Sequence, residues 1–324
     1  MKKIIGRAVG IILAGIVLFV TIFASYQHLK MHGEAKQLRS EGYGNLVSVG
    51  DYSLNVYKCG KDNGDHRIVC LSGFLDGEAF LSWRGMTKEV EKNNELYFID
   101  RAGYGLSEDT KNDMTVEYVV EDYRKALKNA GVQAPYILMG HSLGGIYSAY
   151  WESHYPDEIE GVVIWDGVPI YPIEKDQYSD WDFFPDWMHT AGKFGLIRAF
   201  IKTVCNEDDD EDGGTFALVD EGHREIAWGM IAKSMGSNAC DSEEKLFGDN
   251  IRKTWDTLEK NDIPKVYVAA TTYDIEYDSF DIYTPFVEKL GNCQMVELPG
   301  WHEIYLDKPK ECSDILMNFM DQIQ

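Results

Sequence analysis

Between Ala8 and Gln27 the 324-residue chain has no charged side chain, and positive charge is scarce over its whole length. Lys and Arg number 31 against 54 Asp and Glu, a formal net charge of −23. Four of the basic residues (Lys2, Lys3, Arg7 and Lys30) lie in the first thirty positions, which hold no acid, so the remainder carries 27 basic against 54 acidic residues, or −27. A surface that acidic repels phosphate backbones, which argues against nucleic acid as a partner. The six cysteines (Cys59, Cys70, Cys205, Cys240, Cys293, Cys312) include no C-x-x-C pair and do not cluster with histidines, so no metal site is expected from them. Cys70, inside "RIVCLSG", reads as a core thiol; Cys205 and Cys240 flank one irregular segment and are the pair best placed to bridge, with the other pairings of six cysteines, about 15 in all, left open by the sequence.

What the N-terminus does have is an apolar run from Val9 to Ala24. Twenty helical residues at about 1.5 Å each span about 30 Å, one hydrocarbon core. Lys2, Lys3 and Arg7 precede the run, which keeps the N-terminus cytoplasmic and sends the rest outside. "TIFASYQ" offers no small-residue cleavage site and no cysteine lies near for a lipid anchor, so an uncleaved anchor is favoured over a cleaved signal peptide. The organisation expected is an anchor and its flank over 1–30, a polar stalk over 31–44, and a catalytic domain over 45–324. That domain would lie outside the cytoplasm, on a single-pass protein of the cell membrane.

"NLVSVGDYSLNVYKCG" reads as two strands turning at Gly50-Asp51, with no helix between them, hence an antiparallel edge. "HRIVCLSG", "ELYFID", "YILMG", "GVVIWDG", "PKVYVAA" and "CQMVELPG" are short continuous apolar runs, the mark of strands buried on both faces. Helical patterns alternate with them over 78–91, 115–130, 143–155, 279–290 and 309–320, with Thr115 as an N-cap and Gly131 as a stop. The fold class expected is α/β: a mostly parallel central sheet of about eight strands, helices on both faces and an N-terminal transmembrane helix. The interval of about 168–262, after the sixth strand, is far longer than a crossover needs and reads as an inserted helical cap. It carries Trp181, Phe183, Phe184 and Trp187, a stripe at Phe194, Ile197, Ile201 and Val204, and the acidic run Glu207–Asp212. That run lacks EF-hand spacing and reads as a solvated loop.

"YILMGHSLGGIYSAYW" places a serine between glycines where a strand runs straight into a helix. A single connecting residue must take strained backbone angles, and its neighbours two positions away must be small; this is the G-x-S-x-G elbow, which points to Ser142 as a nucleophile. A serine alcohol needs a base, and the base an orienting acid. His302, in "LPGWHEIYLDKP", follows the last strand and is the candidate base; His141 faces away from the serine, and His189 and His223 lie in the cap. Asp274, closing "VYVAATTYD", is the candidate acid, with Glu276 and Asp278 close beside it and Asp166, at the end of the strand after the elbow helix, as the structural alternative. The oxyanion donors expected are the backbone N–H groups of Leu143, next after the nucleophile, and Phe74, in the loop "SGFLDG".

With "LSGFLDG", "FIDRAGYGLS", "GHSLGG", "AATTYD" and "GWHEIYLDKP" in this order, residues 45–324 resemble the α/β-hydrolase superfamily in its lipase, esterase and peptidase-like branch. The resemblance implies a serine hydrolase with neither metal nor organic cofactor, working through an acyl-enzyme on Ser142. It also implies that Asp100, Arg101, Gly103, Gly105 and Ser107 are structural. Two departures are an acidic loop after "AATTYD" and Trp301 beside the histidine. The aromatic cap suits an ester or lipid-like acyl substrate; its carboxylates keep open an aminopeptidase of the prolyl type, and a membrane-anchored binding or sensor protein is the reading from another class. Oligomeric state is not legible.

Overall fold

The apolar runs pair into one eight-stranded sheet in a computed structural model that describes residues 2–168, 170, 184–201, 216–271 and 280–323. The strands are β1 (Leu46–Ser48), β2 (Ser53–Gly60), β3 (Arg67–Leu71), β4 (Glu95–Ile99), β5 (Tyr136–His141), β6 (Ile159–Trp165), β7 (Asn261–Thr271) and β8 (Gly291–Pro299), in the spatial order β1-β2-β4-β3-β5-β6-β7-β8. β1 and β2 pair antiparallel, as does β2 with β4; all later pairs are parallel. Within β5 every residue is buried, and successive side chains enter opposite cores. Leu138 joins the cluster with Val162, Ile164 and Tyr147, whereas Ile137 and Met139 join Val163, Leu316 and Phe319 on the other face. A period-two backbone covered on both sides therefore has no polar position to show, which is why these strands read as unbroken apolar runs.

Helix α1 (Lys2–Ser40) is followed by α2 (Val116–Asn129), α3 (Leu143–His154), the cap helices α4 (Asp186–Lys193), α5 (Glu221–Met235), α6 (Asn238–Lys245) and α7 (Phe247–Thr257), then α8 (Phe280–Leu290) and α9 (Pro309–Gln322). Thr115 caps α2, its side chain accepting from the Tyr118 N–H at 3.3 Å. The helix expected over 78–91 is instead three short turns (Ala79–Ser82, Arg84–Thr87, Val90–Lys92), interrupted at Trp83, whose ring is buried against Phe98 and Tyr305. Between β6 and β7 the elements formed by the described cap residues are all helices. Cys240 is a free thiol buried on α6, so it forms no bridge with Cys205, which lies outside the described residues, as do Trp181, Phe183, Val204 and the acidic run 207–212.

α1 contains a window long and apolar enough to cross a membrane, fully exposed to its surroundings. The helix runs on unbroken past Lys30 to Ser40. Residues 31–40 continue the helix, and one face is covered along the spacing Phe23, Gln27, Met31, Glu34, Leu38, with Gln27 and Leu38 buried. That three-to-four spacing is what a helix needs to lie along a surface. Glu34 pairs with Arg198 of the cap, and the Glu41 carboxylate meets His223 Nε2 at 2.6 Å.

Candidate active site

Ser142 is the single residue between β5 and α3, and its backbone takes φ 51°, ψ −118°. A non-glycine residue there costs on the order of 1–3 kcal/mol, sustained only where the surroundings over-determine it. Those surroundings are visible. The Ser142 N–H donates to Trp165 O (3.1 Å), and its carbonyl accepts from Gly145 N–H (2.9 Å) and Val168 N–H (3.1 Å). The flanking glycines are required by space: a Cβ on Gly140 would stand 2.6 Å from Gly144 O, and one on Gly144 only 1.9 Å from Leu71 O. Strand, elbow and helix thus touch backbone to backbone. Leu143, the first residue of α3, is fully buried.

Asp166, one residue past β6, also has a positive φ (38°). Its Oδ1 accepts the Ala270 N–H of β7 at 2.9 Å, while Oδ2 meets His302 Nδ1 at 2.6 Å. The carboxylate is therefore fixed by one strand and aimed at the imidazole that follows β8. His302 is half-exposed, and its carbonyl accepts from His141 Nε2 at 3.0 Å. Partial burial pulls the His302 pKa down, but the hydrogen bond and charge of Asp166 outweigh it, and the net shift is upward from 6.5. With Nδ1 committed to Asp166, Nε2 is the ring atom left to exchange a proton. Asp274, Glu276 and Asp278 lie outside the described residues, so the acid that occupies the Nδ1 position among the described residues is Asp166. In the sequence each aspartate follows an apolar run, and no residue pattern ranks "IWDG" above "AATTYD".

His141 is buried, with its nitrogens taken by His302 O and by Asp76 Oδ2 (3.2 Å). Asp76 Oδ2 also accepts the Gly73 N–H at 3.0 Å. These contacts tie the loop after β3, the elbow and the histidine loop into one unit. Gly73 lies against Ser142: a Cβ there would come within 3.1 Å of Ser142 Cβ. Phe74, next in that loop, stacks on Phe184 of the cap with ring centroids 6.3 Å apart.

Arg101, which the motif "FIDRAGYGLS" marks only as structural, reaches the same loop. Its Nη1 and Nη2 donate to Ser72 O and Gly73 O, each at 2.6 Å, and its Nε faces Glu243 Oε1 of α6 at 2.8 Å. Both partners are buried. Tyr147 donates to Glu243 Oε1 at 2.5 Å, Tyr104 donates to Oε2, and the guanidinium lies 4.2 Å from the Tyr104 ring centroid. The cap thus supplies the counter-charge for the cation that holds the backbone beside Ser142. Glu243 is 142 positions away from Arg101 in sequence, and no local pattern announces it. Asp100 and Lys233 hold the next turn: Asp100 Oδ2 accepts the Leu106 N–H, and Lys233 Nζ donates to the carbonyls of Gly105 and Ser107. Burial raises the Asp100 carboxyl to about 7 and lowers the Lys233 ammonium to about 8. Among the described residues no group of three His, Cys, Asp or Glu side chains is placed to hold a metal ion.

A profile of the alpha/beta hydrolase fold matches residues 66–195, the stretch from β3 through the elbow into the cap. Over those residues the chain matches the α/β-hydrolase family, and the eight-stranded sheet around them has the α/β-hydrolase fold. This hydrolase-fold chain is 28% identical over 325 residues to the protein YbdG of Bacillus subtilis (strain 168), covering 98% of both. In fold it resembles a membrane phospholipase A described as a bacterial virulence factor (TM-score 0.65, 15% identity, 100% of this chain and 99% of that one). It also resembles the enol-lactonase of Burkholderia xenovorans LB400 (TM-score 0.65, 15% identity, 86% and 100%). At such identities the likeness is one of fold.

Proposed function

We propose that the chain is a membrane-anchored serine hydrolase that cleaves an ester or other acyl bond through an acyl-enzyme on Ser142, with His302 as base and Asp166, in place of Asp274, as the acid that orients it. The observation that carries this reading is the junction of two features at one sheet edge: the strained elbow at Ser142, and the 2.6 Å contact between Asp166 and His302 Nδ1.

Ser142 Oγ gives its proton to His302 Nε2 as it attacks the substrate carbonyl. Asp166 accepts from Nδ1–H and stabilises the imidazolium that forms, without itself taking the proton. The backbone N–H groups of Leu143 and Phe74 receive the developing oxyanion, the first at the N-terminus of α3 where the helix dipole adds to it. His302 then protonates the leaving alcohol, and the same base activates water to release the acid and restore Ser142. Phe184 stacked over Phe74 and the apolar residues of the cap favour an acyl group over a charged one at this edge. The apolar span of α1 anchors the chain in the cell membrane, and Lys2, Lys3 and Arg7 place the catalytic domain on the extracytoplasmic side.

A fluorophosphonate probe labels only an activated serine. Covalent labelling of the purified chain that disappears in Ser142→Ala and in His302→Ala, both with unchanged circular dichroism, is the expected result. Absence of labelling in the wild type together with no turnover of p-nitrophenyl esters from acetate to palmitate, or of aminoacyl naphthylamides, would overturn the reading in favour of a non-catalytic member of the fold.

A further inference from the structure

Where α1 meets the cap there is a cavity of about 570 Å³ that shares no residue with the active site. One wall is helical and apolar, from Ile22, Phe23 and Tyr26; the opposite wall is the cap segment around Arg198 and Phe200, with Trp228 behind. Lys30 stands at one end and is exposed. Arg198 is more than nine-tenths buried, and only one side of its guanidinium is used. Nη2 pairs with Glu34, while Nη1 is buried without a hydrogen-bond partner among the described residues. A buried guanidinium N–H is expensive to leave unmet; Arg198 lines the cavity, and although Nη1 itself lies covered against Gly229, a small shift of the side chain brings it to an acceptor there.

The depth of the cavity says what that acceptor is. A charge-free span of about twenty residues ending near Tyr26 fills the hydrocarbon core, which sets Ile22 and Phe23 at its boundary and Tyr26 in the aromatic belt. Lys30 is one helical turn further on, about 6 Å, at the level of the headgroups. Phe194 and Phe200, cap residues on either side of the contact with α1, are 44% and 58% exposed, an arrangement suited to acyl chains rather than water. Glu225 also lines the cavity and Glu34 adjoins it, so two cations face two carboxylates. Such a lining, balanced in charge with both signs present, suits a zwitterionic phosphodiester headgroup and disfavours a multiply charged anion.

Resting on the membrane-anchored reading, we infer that this cavity binds the phosphodiester headgroup of a membrane glycerophospholipid, held by Arg198 and Lys30, with its acyl chains against Ile22, Phe23 and Phe200. The lipid then fills the seam between anchor and cap and serves as a structural ligand distinct from the substrate.

The test uses the full chain with Ser142→Ala, which removes turnover, delipidated in detergent and followed by native mass spectrometry. The probe is dioleoyl phosphatidylethanolamine; dioleoylglycerol supplies the same tails without the phosphodiester, and glycerophosphoethanolamine the headgroup without tails. Expected is one bound phosphatidylethanolamine per chain, dioleoylglycerol weaker by about tenfold or more, and no displacement by glycerophosphoethanolamine at equal concentration. Lys30→Gln and Arg198→Gln should each weaken phosphatidylethanolamine about tenfold and leave dioleoylglycerol unmoved. Because Lys30 is exposed, its loss does not threaten the fold. Equal binding of dioleoylglycerol, displacement by the free headgroup, or indifference to Lys30→Gln would each overturn the site. In the Ser142 background, the Lys30→Gln and Arg198→Gln chains should hydrolyse a soluble short-chain ester within about twofold of wild type. Loss of hydrolysis in every chain would strike the enzymatic reading instead, and recovery of the full chain in a detergent-free soluble fraction would strike the membrane reading and this proposal with it.

Discussion

Replacing Asp166 by asparagine sets two hydrogen bonds against each other. In the native site Oδ1 accepts from the Ala270 N–H (2.9 Å) and Oδ2 faces His302 Nδ1 (2.6 Å). An asparagine amide has one acceptor and one donor end. If its oxygen stays on Ala270, its NH2 faces Nδ1, which must then become the unprotonated nitrogen; Nε2 carries the hydrogen and can no longer accept the serine proton. If the amide turns over, the histidine keeps its tautomer but the NH2 meets the Ala270 N–H, donor against donor, which leaves a buried N–H unmet at about 1–3 kcal/mol. The first arrangement is cheaper, so the inactive tautomer is the one populated. In a triad of this kind the same exchange lowers kcat by about 10⁴, equivalent to about 5.5 kcal/mol in the barrier. The assay is kcat/KM for p-nitrophenyl butyrate together with the rate of fluorophosphonate labelling, with the melting temperature as control for folding. Asp274→Asn is expected to stay within about tenfold of wild type. Should Asp166→Asn keep a tenth of the activity while Asp274→Asn loses four orders, the orienting acid is Asp274 and the argument from the Nδ1 contact fails.

Four further outcomes are expected. Glu243→Gln strips the counter-charge from buried Arg101 and should cost about 3–5 kcal/mol in urea unfolding. It should also lower kcat more than it raises KM, and an unchanged midpoint would show the pair to be incidental. Gly144→Ala drives a Cβ to within 1.9 Å of Leu71 O, so β3 and the elbow must part; soluble expression of a normally labelled variant would contradict the packing described. Turnover should rise with pH along a limb centred above 6.5, because His302 must be neutral to act and its pKa is raised. The sign for stability is opposite: a raised folded-state pKa contributes fully below the unfolded value and is lost as pH rises through the folded one, so Asp166→Asn should flatten the pH dependence of the melting temperature on that limb. Finally, removing residues 1–19 should leave the melting temperature nearly unchanged. Removing 1–38 takes away Gln27 and Leu38, both buried, and should lower it by several degrees; equal melting of the two truncated chains would mean that α1 does not support the cap.

The inner strands β3 to β6 were legible because they are buried on both faces, and the elbow because Gly140, Ser142 and Gly144 are dictated by backbone contact rather than by taste. His302 was legible from its place after β8. Asp166 was readable only as an alternative: "IWDG" and "TTYD" offer the same residue type at neighbouring strand ends, and which carboxylate reaches Nδ1 depends on how the chain leaves β6, at a positive φ that an aspartate rarely advertises. The stalk illustrates a different limit. Lys30 to Glu41 is polar in composition, yet its apolar residues fall on one helical face, and only the cap shows that this face has a partner. Glu243 could not be found at all from local pattern, since its meaning lies in a guanidinium contributed from the opposite side of the elbow.

That guanidinium has a consequence for how such a molecule can be altered. Caps of hydrolases are commonly regarded as exchangeable parts set on a constant body, so that specificity can be traded by grafting. Here the graft would carry away the only described carboxylate paired with Arg101, and the loop at Ser72 and Gly73 would be left holding an uncompensated charge. A chimera built on this body must therefore import an acidic residue at the position of Glu243, or else exchange Arg101 in the same step. Laboratory recombination that cuts between β6 and β7 without that provision should yield mostly insoluble chains, whatever the pocket of the donor cap accepts.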